Sequence, residues 1–149
     1  MTTTFYDEVG GRPVIEKVHT LLYGKLLSHP WLQGFFEGVS RSHLEDQQTD
    51  FMSDLFGVSP KVYFGKFPMP AHQHLHITEE IFMVRHSLLE QSLIEAGVSA
   101  EHRERWLKQD MGMKRTVVKQ SVDECEKRYN SDTIISIPKP AEFVVDKLN

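Results

Sequence analysis

One cysteine, Cys125, stands in 149 residues. That excludes an internal disulfide and a cysteine-based zinc site, and a chain so poor in thiols suits the cytoplasm. Long apolar runs are missing: no window approaches the ~18 uninterrupted apolar residues of a membrane span. Positive charge is not in excess either. Lys and Arg number 17 against 21 Asp and Glu, the formal net charge is -4, and the signs are interleaved. Nucleic-acid binding, which needs a cationic footprint, is therefore not expected. The opening residues MTTTFYDEVGG lack a basic stretch followed by an apolar run and do not read as a signal peptide. Internal repeats are absent. Alternating strand patterns are absent too, apart from the ambiguous Thr133–Ile137 and Phe143–Val145.

The length fits one domain, and a chain of that size buries roughly 68–70% of its unfolded surface. Its 40% hydrophobic and 26% charged residues are ordinary for a soluble globular protein. The pattern along it is helical. Thr4 caps a short helix over about 5–9, with Asp7 as the partner acid, and Gly10-Gly11 breaks the chain. From Pro13 to about Ser28, Val14, Ile15, Val18, Leu21, Leu22 and Leu26 recur at helical spacing. Pro30 begins a short turn through Trp31, Leu32, Phe35 and Phe36, ended by Gly38 and Ser40. A helix over about Ser42–Phe56 places Leu44, Gln48, Phe51, Met52, Leu55 and Phe56 on one face, and Gly57 stops it. The stretch 57–70, with Pro60, Gly65, Pro68 and Pro70, reads as irregular. Thr78 caps a helix reaching Gly97, and Ser99 caps a last long one carrying Trp106, Leu107, Met111, Val117, Val118 and Val122. These give an all-α domain over 1–128, followed by an extension over 129–149 that reads as loosely packed or partly disordered.

Eight histidines are the unusual abundance, and three of them alternate at 72, 74 and 76. A neutral imidazole is the axial ligand of haem iron in globins and the commonest protein ligand of zinc, copper and nickel. As a strand, His72, His74 and His76 share a face and chelate one small metal; as a helical turn only His72 and His76 align. As surface loop residues they do neither. Tyr23 and Gln48 put two polar groups on otherwise apolar inward faces, a costly choice unless something polar lies between them.

Joint order makes the pattern specific. Tyr6–Gly11, Tyr23, Leu32 with Phe35-Phe36, Gln48-Thr-Asp-Phe-Met52, Leu55–Gly57, Ala71-His72, Leu75, Ile77-Thr78 and Phe82 resemble the truncated haemoglobins, most of all their first group. The resemblance covers about 5–97 and more weakly 98–125. It implies a two-over-two globin sandwich around one b-type haem. His72 corresponds to the proximal iron ligand. Tyr23 corresponds to the distal tyrosine that hydrogen-bonds the bound gas, and Gln48 to its partner. Phe36, Leu44, Phe51, Leu75, Ile77 and Phe82 then line the haem pocket. Lys61, Tyr63 and Lys66 are candidates to meet the propionates, and His43, beside Leu44, is a candidate sixth ligand. The implied partners are oxygen, nitric oxide and carbon monoxide. The implied roles are oxygen transport or gas sensing and, in some members, nitric-oxide dioxygenation with an external reductase. The sequence departs from the family at Val58, where a glycine is common, and at Met69-Pro70, where a basic residue often precedes the ligand. It departs again at Arg85, where an apolar residue or tryptophan is usual; Arg85 is read as turned outward or reaching a propionate. The rival reading is a helical module that binds a metal without haem through His72, His74 and His76.

Overall fold

Helix starts are written locally. Thr4 accepts a hydrogen bond from the Asp7 amide and opens α1 (Phe5–Val9) in the computed structural model, which describes residues 3–141. Gly10 and Gly11 follow with φ of +114° and +71°, a left-handed pair that lets α2 (Gly11–Leu26) begin at once. A 3-10 turn spans Leu32–Phe36. Ser40, expected to close that segment, instead caps α3 (Arg41–Leu55) by accepting from the His43 amide. Thr78 does the same for α5 (Glu79–Glu95) through the Ile81 amide, and Ser99 for α6 (Ala100–Met111) through the His102 amide. Between α3 and α5 lies α4 (Pro68–His72), so the irregular stretch ends at Phe67 rather than at Pro70. Prolines here occupy the first turn, where no N–H partner is lost.

Two corrections concern the C-terminal half. The last helix does not run to Val122: it ends at Met111, and only the single-turn α7 (Lys114–Val117) follows. Val118 leaves the helix to pair with Ile77 as an isolated bridge, and Val122 lies exposed in a 3-10 turn. The segment after Arg128 has no helix, yet part of it is firmly placed. Ile135 exchanges backbone hydrogen bonds with His74 and His76, at 2.9 and 2.8 Å. Ile137 accepts from the Trp31 indole at 3.0 Å and packs where any side chain on Gly34 would stand. Of the two ambiguous strand patterns, Thr133–Ile137 thus supplies one bridge; Phe143–Val145 lies outside the described residues.

The core is a pair of helix pairs. α2 packs on α3 and on α5, and α5 packs on α6. On α3 the innermost residues are Thr49, Met52 and Ser53, whereas Leu55 is exposed and Gln48 only half-buried. The inward face is rotated from the expected one because the polar side chains find space beside α2. His19 Nδ1 lies 2.8 Å from Thr49 Oγ1, and both residues are buried.

Burial, helped by the charge of Arg85, pushes His19 from an ordinary 6.5 down to about 3. The folded state therefore refuses a proton that the unfolded chain takes up, so stability is complete above the ordinary value and is lost as pH falls toward 3. Urea-unfolding midpoints are expected to fall through that window, and to fall less steeply in His19→Gln. Equal acid slopes in the two chains would dismiss His19 as the source.

Candidate functional site

Tyr23 lies one turn after His19 on the inward face of α2 and is buried. Burial pushes its hydroxyl up to about 12, so it stays protonated. Its ring meets Phe36 edge-on at 6.1 Å. Neither the Tyr23 nor the Gln48 side chain makes a hydrogen bond to another described residue, so the pairing expected between them is not formed here. Leu44, Phe51, Leu75 and Ile77 are half-buried against the core, and Phe82 is buried, stacked on His86. His43 is exposed on α3.

His72 closes α4, and its geometry follows from that place. Nδ1 donates to the Pro68 carbonyl one turn back, at 2.7 Å. A carbonyl can only accept, so the ring carries its proton on Nδ1 and keeps a lone pair on Nε2. Burial pushes the group down to about 4, against the opposing pull of the Pro68 carbonyl, and the imidazole is neutral. Lys119 Nζ holds the end of this turn by donating to the His72 and Leu75 carbonyls, at 3.0 and 2.9 Å. Nothing in the sequence singled out Lys119. It acts from 47 residues away, and only the return of the chain beside Ile77 brings it there.

His74 and His76 do not join His72. His74 is buried with Nδ1 unpartnered, and His76 bonds the Ser136 hydroxyl at 3.0 Å. Among the described residues no group of three or more His, Cys, Asp or Glu could hold a metal ion, which removes the structural basis of the three-histidine module. The chain here is neither a strand nor a continuous helix. A helical end at His72 passes into bridge residues at Leu75 and Ile77, and the three rings diverge.

In the loop before α4, Lys61 reaches Asp54 at 3.1 Å, and that carboxylate also accepts the Val62 and Tyr63 amides. Tyr63 stacks edge-on with Phe51, and its hydroxyl donates to the Lys66 carbonyl. Lys66 is exposed. Lys61 and Tyr63 thus brace the loop onto α3.

Arg85 turns neither fully outward nor to the loop: Nη1 donates to both oxygens of Asp110, at 2.9 and 3.0 Å. Asp110 also lies 2.8 Å from His86 Nδ1, and Arg85 holds its carboxyl below the ordinary range against the pull of burial. The partner was open to sequence reasoning. Asp110 falls one turn after Trp106 on the apolar face of α6, where an acid needs a counter-charge.

The sequence pattern of the bacterial-like globin family matches residues 4–119. A group 1 truncated hemoglobin of Tetrahymena pyriformis is 31% identical over 96 residues, which are 64% of this chain and 78% of that one. Group 1 truncated hemoglobin GlbN of a Nostoc species is 27% identical over 78% of this chain and 98% of its own. The crystal structure of the Tetrahymena protein in its Fe(III) form superposes with a TM-score of 0.72 at 26% identity, covering 79% of this chain and all (100%) of that one. The group II truncated hemoglobin of Bacillus anthracis shares the two-over-two fold, with a TM-score of 0.71 at 24% identity over 80% of this chain and 93% of that one. No helix among the described residues is long and apolar enough to cross a membrane.

Proposed function

Because this chain belongs to the bacterial-like globin family, a membership that implies haem iron, we propose that it holds b-type haem through His72 and binds oxygen and other diatomic gases reversibly on the Tyr23 side. One observation carries the reading. The Pro68 carbonyl fixes the His72 proton on Nδ1, which leaves Nε2 as a neutral donor atom of the kind an axial ligand requires. The other residues fit the group as well. Phe36 and Phe82 offer flat apolar surface, and Tyr23, a buried residue, offers a hydroxyl that no described residue engages.

Haem, when bound, supplies the iron that bonds the gas; the chain does the rest. His72 is held at a fixed angle by Pro68 and Lys119. Tyr23 presents a proton that its burial prevents it from losing. Phe36 meets the Tyr23 ring edge-on, and Phe82 is buried on α5. The cytoplasm is the compartment proposed. Nitric-oxide dioxygenation would use this pocket together with an outside reductase, and no residue described here favours it over simple binding.

Visible spectra of the haem-reconstituted protein in ferric, ferrous and carbonyl forms test the reading. A strong Soret band is expected, lost or grossly altered in His72→Ala. No Soret band in the unaltered chain overturns the haem reading, and an unchanged spectrum in His72→Ala moves the ligand to another residue.

A further inference from the structure

The globin-family pattern ends at residue 119, and residues 126–139 lie beyond what it accounts for. They hold no helix, yet they are bonded to the globin domain at both ends. At the first end the Glu126 amide donates to the Gln73 carbonyl at 2.7 Å, and the Gln73 side-chain amide donates to the Lys127 carbonyl at 2.9 Å. Ile135 then takes its two backbone bonds to His74 and His76, and Ser136 lies 3.0 Å from His76 Nδ1. The residues that directly follow His72 are thus gripped at Gln73, His74 and His76. At the second end the segment crosses to the turn that carries Phe36. Ile137 accepts from the Trp31 indole, and its side-chain carbons stand 2.8, 3.1 and 3.3 Å from where a β-carbon on Gly34 would be, an approach that the missing side chain admits. Lys139 reaches Glu80, in the first turn of α5, at 3.0 Å. Ile135 and Ile137 both pack against the core. A segment held in this way gives up its chain freedom for few backbone bonds, so its fixed course needs a reason.

We propose that residues 126–139 are a strap that positions His72: by tying Gln73, His74 and His76 to the Phe36 turn, they fix the ligand side of the site against the Tyr23 side and keep haem between the two. The proposal rests on the haem reading. Ile135 and Ile137 are positioning residues, because they act through the backbone that carries the ligand. Pro68 and Lys119 already hold the His72 ring and the end of its turn. The strap adds the tie across to the opposite wall, which neither of those makes.

Ile137→Asp sets a charge against Gly34 and frees the strap at the end away from His72. Trp31→Phe removes the indole donor and keeps an aromatic ring. Mixing the ferric holoprotein with excess apomyoglobin and following the Soret band measures haem loss. Loss is expected to quicken about tenfold or more in Ile137→Asp and about threefold in Trp31→Phe. In resonance Raman spectra of the ferrous protein the iron–histidine stretching band should shift or broaden in both. Amide exchange at His76 and Ile135 should quicken in both, with the amides of α2 unchanged. Leu93→Ala truncates a core residue of α5 and leaves the strap's bonds in place, so it should weaken the fold without moving the Raman band. A tail that merely stabilises predicts another pattern: Ile137→Asp would behave like Leu93→Ala, with protection lowered everywhere and the band unmoved. That pattern, or haem loss within about twofold of the unaltered chain in both strap variants, overturns the proposal. Should Ile137→Asp fail to fold, Trp31→Phe decides it. A missing Soret band in the unaltered chain would sink the haem reading and this proposal together. A normal Soret band with haem loss indifferent to the strap would sink this proposal alone.

Discussion

In Tyr23→Phe, oxygen is expected to leave the ferrous protein about 10- to 100-fold faster than from the unaltered chain. Bound oxygen carries partial negative charge, and a hydrogen bond to a charged group contributes roughly 1.5–3 kcal/mol, with each 1.4 kcal/mol worth a decade. Two properties of this tyrosine suit it to donate. Burial pushes its hydroxyl up to about 12, so it donates throughout the neutral range. Its side chain makes no hydrogen bond to another described residue, so no protein acceptor has to be given up when a gas arrives. The substitution removes only the hydroxyl, and the edge contact with Phe36 at 6.1 Å needs only the ring. Stopped-flow dissociation measures the effect. Carbon monoxide, less polarised, should change far less. An oxygen off-rate within twofold of the unaltered protein would remove Tyr23 as the distal donor.

Trp106→Ala is expected to destabilise the fold by about 3–5 kcal/mol, as truncation of a buried aromatic does. Trp106 is 1% exposed on α6 and joins elements far apart in the chain. It meets Phe56, at the end of α3, at 4.9 Å, and His19 of α2 at 6.1 Å, both edge-on. Phe56 in turn takes the edge of Phe5 at 4.7 Å, and its carbonyl accepts from the Tyr6 amide. Removing the indole leaves a void bounded by three helices that cannot all close in, because each is fixed by its other contacts. Against a typical domain stability of 5–15 kcal/mol the loss is a large share. Urea unfolding by circular dichroism measures it, and Trp106→Phe should recover more than half. A loss below about 1 kcal/mol would mean that the site collapses freely, contrary to the packing described.

The helix starts were legible because a cap is a local device. Thr4, Ser99 and Thr78 each satisfy an amide three residues away, and no other part of the chain needs to be known. The haem-family pattern was legible for a related reason: Tyr23, Gln48 and His72 sit at fixed spacings inside or beside recognisable helices. The face of α3 was less so. Leu55 and Gln48 have the spacing of an inward stripe, but the hydroxyls of Thr49 and Ser53 lie on the side that meets α2, where His19 supplies a partner for Thr49. A pattern of hydrophobicity alone ranks a threonine outside, and only a facing imidazole reverses that.

The sequence by itself determined an all-helical chain, the order of its long helices and the family they resemble, since caps, glycine breaks and apolar spacing act over a few residues. Tertiary structure alone decided what surrounds the site. It ended the last helix at Met111, turned His74 and His76 away from His72, and brought Ile135 and Lys119 against the segment that carries His72. It also drew Arg85 to Asp110, 25 residues on. The contacts of Lys119 and Arg85 are polar groups meeting their partners across the fold, and the cost of leaving such a group unpaired depends on distances that the order of residues does not contain.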